Sequence, residues 1–127
     1  MGAFLWVGVG GALGSMARFG VGVGVNRWFG PSGQPLATAI VNIVGCAAIG
    51  LMAGMVAGET WRIGAQTRAF AFAGIMGGFT TFSSFGLDTL NLVQQGRLGA
   101  AVTNVALQLG LGLAAVFAGY AAALSVK

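Results

Sequence analysis

Residues 74–86 read GIMGGFTTFSSFG, a cluster of Gly, Thr and Ser inside an apolar stretch, 69–94, that is otherwise long enough to cross a membrane. From Gly77 to Ser84, six of eight residues are Gly, Thr or Ser. Glycine is costly in a helix interior, and hydroxyl side chains compete for backbone hydrogen bonds, so the segment predicts a helix that breaks near its middle. Hydrocarbon offers the freed N–H and C=O groups no partner. A break there is tolerated only where it faces protein, water or an ion, which makes it the first place to seek a site.

Composition puts that segment in a bilayer. Hydrophobic residues make up 57% of the 127 and charged residues 6%, with a mean hydropathy of +0.89, whereas soluble domains carry about 25% charged residues. The chain is expected to be an all-α membrane protein forming one domain, 1–127, with four spans at about residues 3–25, 36–57, 69–94 and 100–124. Each is near the ~20 residues a helix needs to cross hydrocarbon. The connections are short: NRWFGPSGQ carries Pro31, Gly33 and Pro35, GETWRIGAQTR holds most of the polar residues outside the spans, and QQGRLG makes the third turn. Trp6, Trp28 and Trp61 fall at expected span ends, where amphipathic rings favour the headgroup region. No Lys or Arg precedes Arg18, so MGAFLWVGVG reads as a mature span rather than a secretory signal, and Trp6 breaks the myristoylation pattern. Cys46 is the one cysteine and makes no internal disulfide.

Charge says how such spans insert. With four spans, Arg62, Arg68 and Lys127 lie on one side and Arg27 and Arg97 on the other. Three against two leaves the orientation nearly unspecified, which predicts insertion both ways round and antiparallel pairing of the two forms. The net charge of +4 comes from six scattered basic residues, which make no stripe for nucleic acid. Glycines number 24, and small residues recur every four, as in Gly10 and Gly14, Gly20 and Gly24, or Cys46, Gly50, Gly54 and Gly58. That spacing lets helix backbones approach closely, within one subunit or between two. Four helices alone do not surround a pore, so a pathway would require a second copy.

Few polar residues remain inside the spans. Thr38 and Asn42 are four apart and continue the stripe of Cys46 and Gly50, so they face helices rather than lipid. Asn42 suits either an interhelical hydrogen bond or a ligand in a pathway. Arg18 either snorkels to a headgroup or points into an aqueous vestibule. Phe82 and Phe85, three apart, share a face of the half-helix after the break, beside Ser83, Ser84 and Asp88. Such rings usually pack, yet their positive edges also suit an anion. Asp88 is one of two acids, placed either to gate or to sit in water at the span end. With no His, no cysteine pair and no paired carboxylates in a span, nothing points to an enzyme.

GGFTTFSSF at Gly77–Phe85, GALGSMAR at Gly11–Arg18 and TAIVNIVG at Thr38–Gly45 together resemble the Fluc fluoride channels, also called CrcB proteins, over essentially the whole chain. The resemblance implies an antiparallel, dual-topology homodimer in the bacterial plasma (inner) membrane, exporting fluoride passively through two pores around a structural Na+. It makes Phe82 and Phe85 the ring-edge lining of the fluoride route and Asn42 a hydrogen-bond donor to the ion. Gly77 and Thr80 would offer carbonyl oxygens to sodium, and Arg18 would set a positive vestibule. Ser83 and Thr38 match polar positions near the route, and Asp88 stands where the family often has Glu. Gln108 departs from the pattern, since the family would place Ser there. The rival classes are a proton-coupled small multidrug exporter and a non-transporting accessory subunit. The first needs an embedded carboxylate, and residues 1–58 hold no Asp or Glu.

Overall fold

The computed structural model describes residues 2–126, so Lys127, counted above among the charges of one side, lies outside it. Helix α1 is Gly2–Phe29 and α2 is Gln34–Ala57, joined by a 3-10 turn at Pro31–Gly33. The third span begins with α3, Ala65–Arg68, runs through a π-helical stretch, Ala69–Met76, and reaches α4, Gly77–Phe79. After Thr80 and Thr81 the chain re-enters a helix, α5, Phe82–Gln94, and the last helix, α6, is Leu98–Ser125. Four segments are long and apolar enough to cross a bilayer: Gly2–Phe29, Pro31–Ala57, Ala65–Gln94 and Leu98–Ser125. The chain is an all-helical, multi-pass membrane protein.

These helices outrun the apolar stretches by a few residues at most ends. A helix of 28 residues, such as Gly2–Phe29, is roughly 40 Å long, so it extends from the hydrocarbon into the headgroup layer. Arg27 sits in the last turn of α1, where a cation complements the helix dipole. Pro35 lies in the first turn of α2, a position that needs no N–H, so it starts that helix instead of breaking it. The reversal before it is made at Gly30, with φ 68°, and the third turn uses Gly96, with φ 72°.

The helices pair as α1 with the first half of the third span and α2 with α6, while α5 touches both α2 and α6. Backbone meets backbone along both pairings. A Cβ added at Gly14 would collide with the backbone of Ile75 and stand 2.8 Å from the Phe79 nitrogen, and one at Gly50 would strike the Val116 carbonyl. Lipid is as apolar as these side chains, so close van der Waals approach supplies the packing energy. Gly10, Gly14, Gly50 and Gly54 therefore pack within the chain, whereas Gly20 and Gly24 have nothing within 4 Å. Phe4, Trp28, Phe29 and Phe117 point outward, as a lipid-facing surface requires.

Candidate functional site

Thr80 and Thr81 are both extended, with ψ 158° and 114°. Thr80 closes the half-helix before it: its N–H and its hydroxyl both donate to the Met76 carbonyl, at 3.1 and 2.9 Å. In a continuous helix the Thr81 N–H would donate to the Gly77 carbonyl. Here it donates to Asn42 Oδ1 at 2.8 Å, and the Thr81 carbonyl accepts from Asn42 Nδ2 at 3.0 Å. One side-chain amide thus pairs with a single residue as a neighbouring strand would. Thr81 then caps α5, its hydroxyl oxygen accepting from the Ser84 N–H at 3.2 Å and donating to Ser84 Oγ at 3.1 Å.

The carbonyls freed at the end of α4 are met from α1. Arg18 Nη1 donates to the Thr80 carbonyl at 3.2 Å, and Ser15 Oγ reaches the Gly78 carbonyl at 3.5 Å. Residues 15 and 18 are three apart and share a face of α1, which is why both arrive at one end of α4. Arg18 is half-buried and turned inward to the middle of the third span. A guanidinium suits that place, because a helix C-terminus carries partial negative charge.

A groove of about 420 Å³ opens beside the extended pair, and Asn42, Gly77, Thr80, Phe82, Phe85 and Gln108 are among its walls. The two rings lie 5.4 Å apart, centroid to centroid, at a tilt of 49°. They differ sharply in cover: Phe85 is 8% exposed and Phe82 78%. Of the nine residues expected to matter, five therefore share this groove: Asn42, Gly77, Thr80, Phe82 and Phe85. Ser83 is exposed just beyond, its hydroxyl 3.2 Å from that of Thr81.

Thr38 and Asp88 stand apart from the groove. Both are buried, and the Thr38 hydroxyl donates to Asp88 Oδ2 at 2.6 Å. Asp88 also borders a recess of about 310 Å³ shared with Gln34, Asn91 and Arg97. Arg18 and Thr38 border a smaller recess with Ser84. Arg18 and Thr38 are thus linked through that recess, and Thr38 and Asp88 through their hydrogen bond.

A buried row of amides ends on Asn42. Gln108 Oε1 accepts from Asn42 Nδ2 at 2.7 Å, Gln108 Nε2 donates to Asn104 Oδ1 at 2.9 Å, and Asn104 Nδ2 donates to Thr89 Oγ1 at 3.0 Å. Thr89 in turn donates to the Phe85 carbonyl at 2.8 Å. Asn104 and Gln108 are each 7% exposed. Asn104 and Thr89 escaped the reading of the sequence, although two amides four apart in an apolar helix must share a face and seek partners. Gln108 was noticed only as a departure from a pattern.

Four spans, three of which line an open, largely apolar groove with a few polar groups at mid-span, define a membrane protein with a site at bilayer depth. The family described as CrcB-like protein, Camphor Resistance (CrcB), matches residues 5–120. The chain is 47% identical over 116 residues to the fluoride-specific ion channel FluC of Paracoccus denitrificans, covering 91% of this chain and 90% of that one. It is 45% identical to the protein of that name from Rhodospirillum centenum over 117 residues, 92% and 91% of the two chains, and 43% identical to that from Opitutus terrae over 128 residues, 100% and 96%. The chain belongs to the CrcB family.

The pairing of Asn42 with Thr81 yields a direct test. Asn42→Leu keeps the bulk and removes both bonds, leaving a buried N–H and C=O unmet at a cost of about 1–3 kcal/mol each. The Thr81 amide is expected to exchange hydrogen slowly in the wild type and at least tenfold faster in the variant, while amides in the middle of α6 stay protected. Equal exchange in the two proteins would show that Asn42 does not hold the extended pair.

Proposed function

We propose that the chain is a fluoride-selective channel that lets the ion leave the cell passively. One observation carries the reading: Asn42, the Phe82 and Phe85 rings and the extended Thr80–Thr81 pair converge on one groove in a chain 43–47% identical to relatives named fluoride-specific ion channels. Fluoride is small and strongly hydrated, and it leaves water only where donors replace its shell. The Asn42 amide and hydroxyls supply such donors, and the ring edges of Phe82 and Phe85 present positive charge without a titratable group. The N-terminus of α5, which carries both rings, adds the partial positive charge of a helix start. Arg18, Thr38, Ser83 and Asp88 belong to the approaches to this route.

The functional unit is an antiparallel dimer of two oppositely inserted copies, giving two routes in the bacterial inner membrane. The open side of the groove and the 78% exposure of Phe82 support it, since one copy leaves that ring uncovered. So does the near balance of basic residues, Arg62 and Arg68 against Arg27 and Arg97 within the described chain. A structural Na+ at the two-fold centre fits the oxygens present. The N–H that would bond the Gly77 carbonyl is diverted to Asn42, Gly77 is exposed, and the Thr80 carbonyl keeps a lone pair beyond its bond to Arg18. Among the described residues no cluster of three or more His, Cys, Asp or Glu is placed to hold a metal, so a cation would rest on Gly77 and Thr80 peptide oxygens, a donor type that suits a hard ion. Bound there, it would supply positive charge between two α4 ends and tie the copies together.

Purified protein in liposomes, read with a fluoride electrode, is expected to release fluoride rapidly with no proton gradient and to exclude chloride. Phe82→Ile and Phe85→Ile should each lower that efflux at least tenfold with the dimer intact; wild-type rates in both would refute the ring-edge lining. Proton-dependent export of a cationic drug would instead support the exporter, and silence the accessory subunit. Replacing sodium during purification is expected to weaken efflux or dimerisation, and full activity in protein shown to be free of the ion would remove that site. Tags on both termini should be reached from both sides of the membrane, and labelling from one side alone would exclude dual topology.

A further inference from the structure

We infer that Gln108 is a second anion donor, one that presents its NH2 to the groove only when an anion is there to receive it. This deepens the fluoride reading and rests on it. Asn42 has a fixed orientation, because it faces a backbone N–H and a backbone C=O of Thr81, and neither can exchange roles. Its second amide hydrogen is therefore aimed at Gln108, whose Oε1 accepts it at 2.7 Å. With the groove empty of anions, that oxygen occupies the place of an acceptor on Asn42. A glutamine amide is nearly symmetric in shape, so turning it over exchanges O for N with little change in volume. Alone, the turned state is disfavoured, for it sets Gln108 Nε2 against Asn42 Nδ2, two donors with nothing between them. Once the two amides, now 2.7 Å apart, draw back from each other, an anion between them removes that conflict and receives both.

The rest of the row allows the turn at the loss of one bond, that of the Thr89 hydroxyl to the Phe85 carbonyl. Gln108 Nε2 now donates to Asn104 Oδ1, Asn104 Nδ2 to Thr89 Oγ1, and the Thr89 hydroxyl to the Phe85 carbonyl. Once Gln108 turns, Asn104 turns with it and donates to Gln108 Oε1. Thr89 then swings its hydrogen from the Phe85 carbonyl to Asn104 Oδ1, a reversal open to a hydroxyl because it both donates and accepts. The Phe85 carbonyl keeps its helical bond from the Thr89 N–H. The bonds between Gln108 and Asn104 and between Asn104 and Thr89 are each replaced by one of opposite direction, the Asn42 bond passes to the anion, and the two buried amides are never left unpaired. The anion thus selects between two directions of one network, and only its presence makes the second favourable.

Two measurements test this in the full chain. In liposomes, Gln108→Met is expected to lower fluoride efflux about tenfold, because it keeps the length and loses the donor. A side chain that merely filled the groove would be replaced by one of equal length, so unchanged or faster efflux in Gln108→Met overturns the inference while wild-type efflux upholds the channel. No fluoride efflux from the wild type ends both. In wild-type protein with nitrogen-15 side-chain amides, fluoride is expected to move the NH2 resonances of Asn42, Gln108 and Asn104 together, and chloride to move none. A shift confined to Asn42 would show that Gln108 does not turn, whatever the variant does.

Discussion

A peptide group released from a helix inside hydrocarbon has to find a partner, and here that demand falls on Asn42. Its amide matches the N–H and C=O of Thr81 in one contact, at 2.8 and 3.0 Å. An unmet buried pair would cost several kcal/mol, a large share of the stability of a chain this small. Once Thr81 is held extended, its hydroxyl is free to cap α5, and α5 starts with Phe82 and Phe85 turned toward the groove. The Thr80 carbonyl is turned to Arg18 by the same kink. The arrangement of rings, carbonyls and guanidinium therefore descends from one side-chain amide on a neighbouring helix.

Much of this was legible because membranes make sequence patterns blunt. Apolar length marked all four spans, and the displaced ends reflect only that helices continue into the headgroup layer. The polar cluster from Gly77 to Ser84 marked where the third span would be irregular, and helical spacing put Asn42 on an inward face. The roles of the glycines were open, and they divided according to contact: Gly14 and Gly50 abut backbone, while Gly20 and Gly24 meet nothing within the chain.

What periodicity does not report is which partner a side chain meets across a gap. Thr38 and Asn42 share a stripe of α2, yet one bonds Asp88 and the other Thr81. The two partners are seven residues apart, about two helical turns, so a single stripe is divided between two polar contacts. Asn104 and Thr89 were missed for a related reason. Asn104 shares a face of α6 with Gln108, but neither Asn104 nor Thr89 shows within its own helix which residue it meets on the other, and they become a row only when α5 and α6 stand side by side. The pairing of helices, rather than the content of any one, makes that feature.

The row also bears on how a route through such a groove stays passable. An ion pathway must attract its ion without holding it, because a deep site stops conduction. A groove whose donors waited unpaired would either be costly to build or bind an anion too firmly once formed. In the proposed exchange the acceptor that an anion displaces is the Gln108 carbonyl, a neutral group already satisfied on Asn42. Entry of the ion then exchanges one acceptor for another, and its departure restores the first. The exchange favours a small anion, since two amides can close on it only if it leaves them within hydrogen-bonding reach, while the rings beside them offer weaker, less directional positive charge. Discrimination and passage then follow from one property: the groove carries its own competitor for the ion.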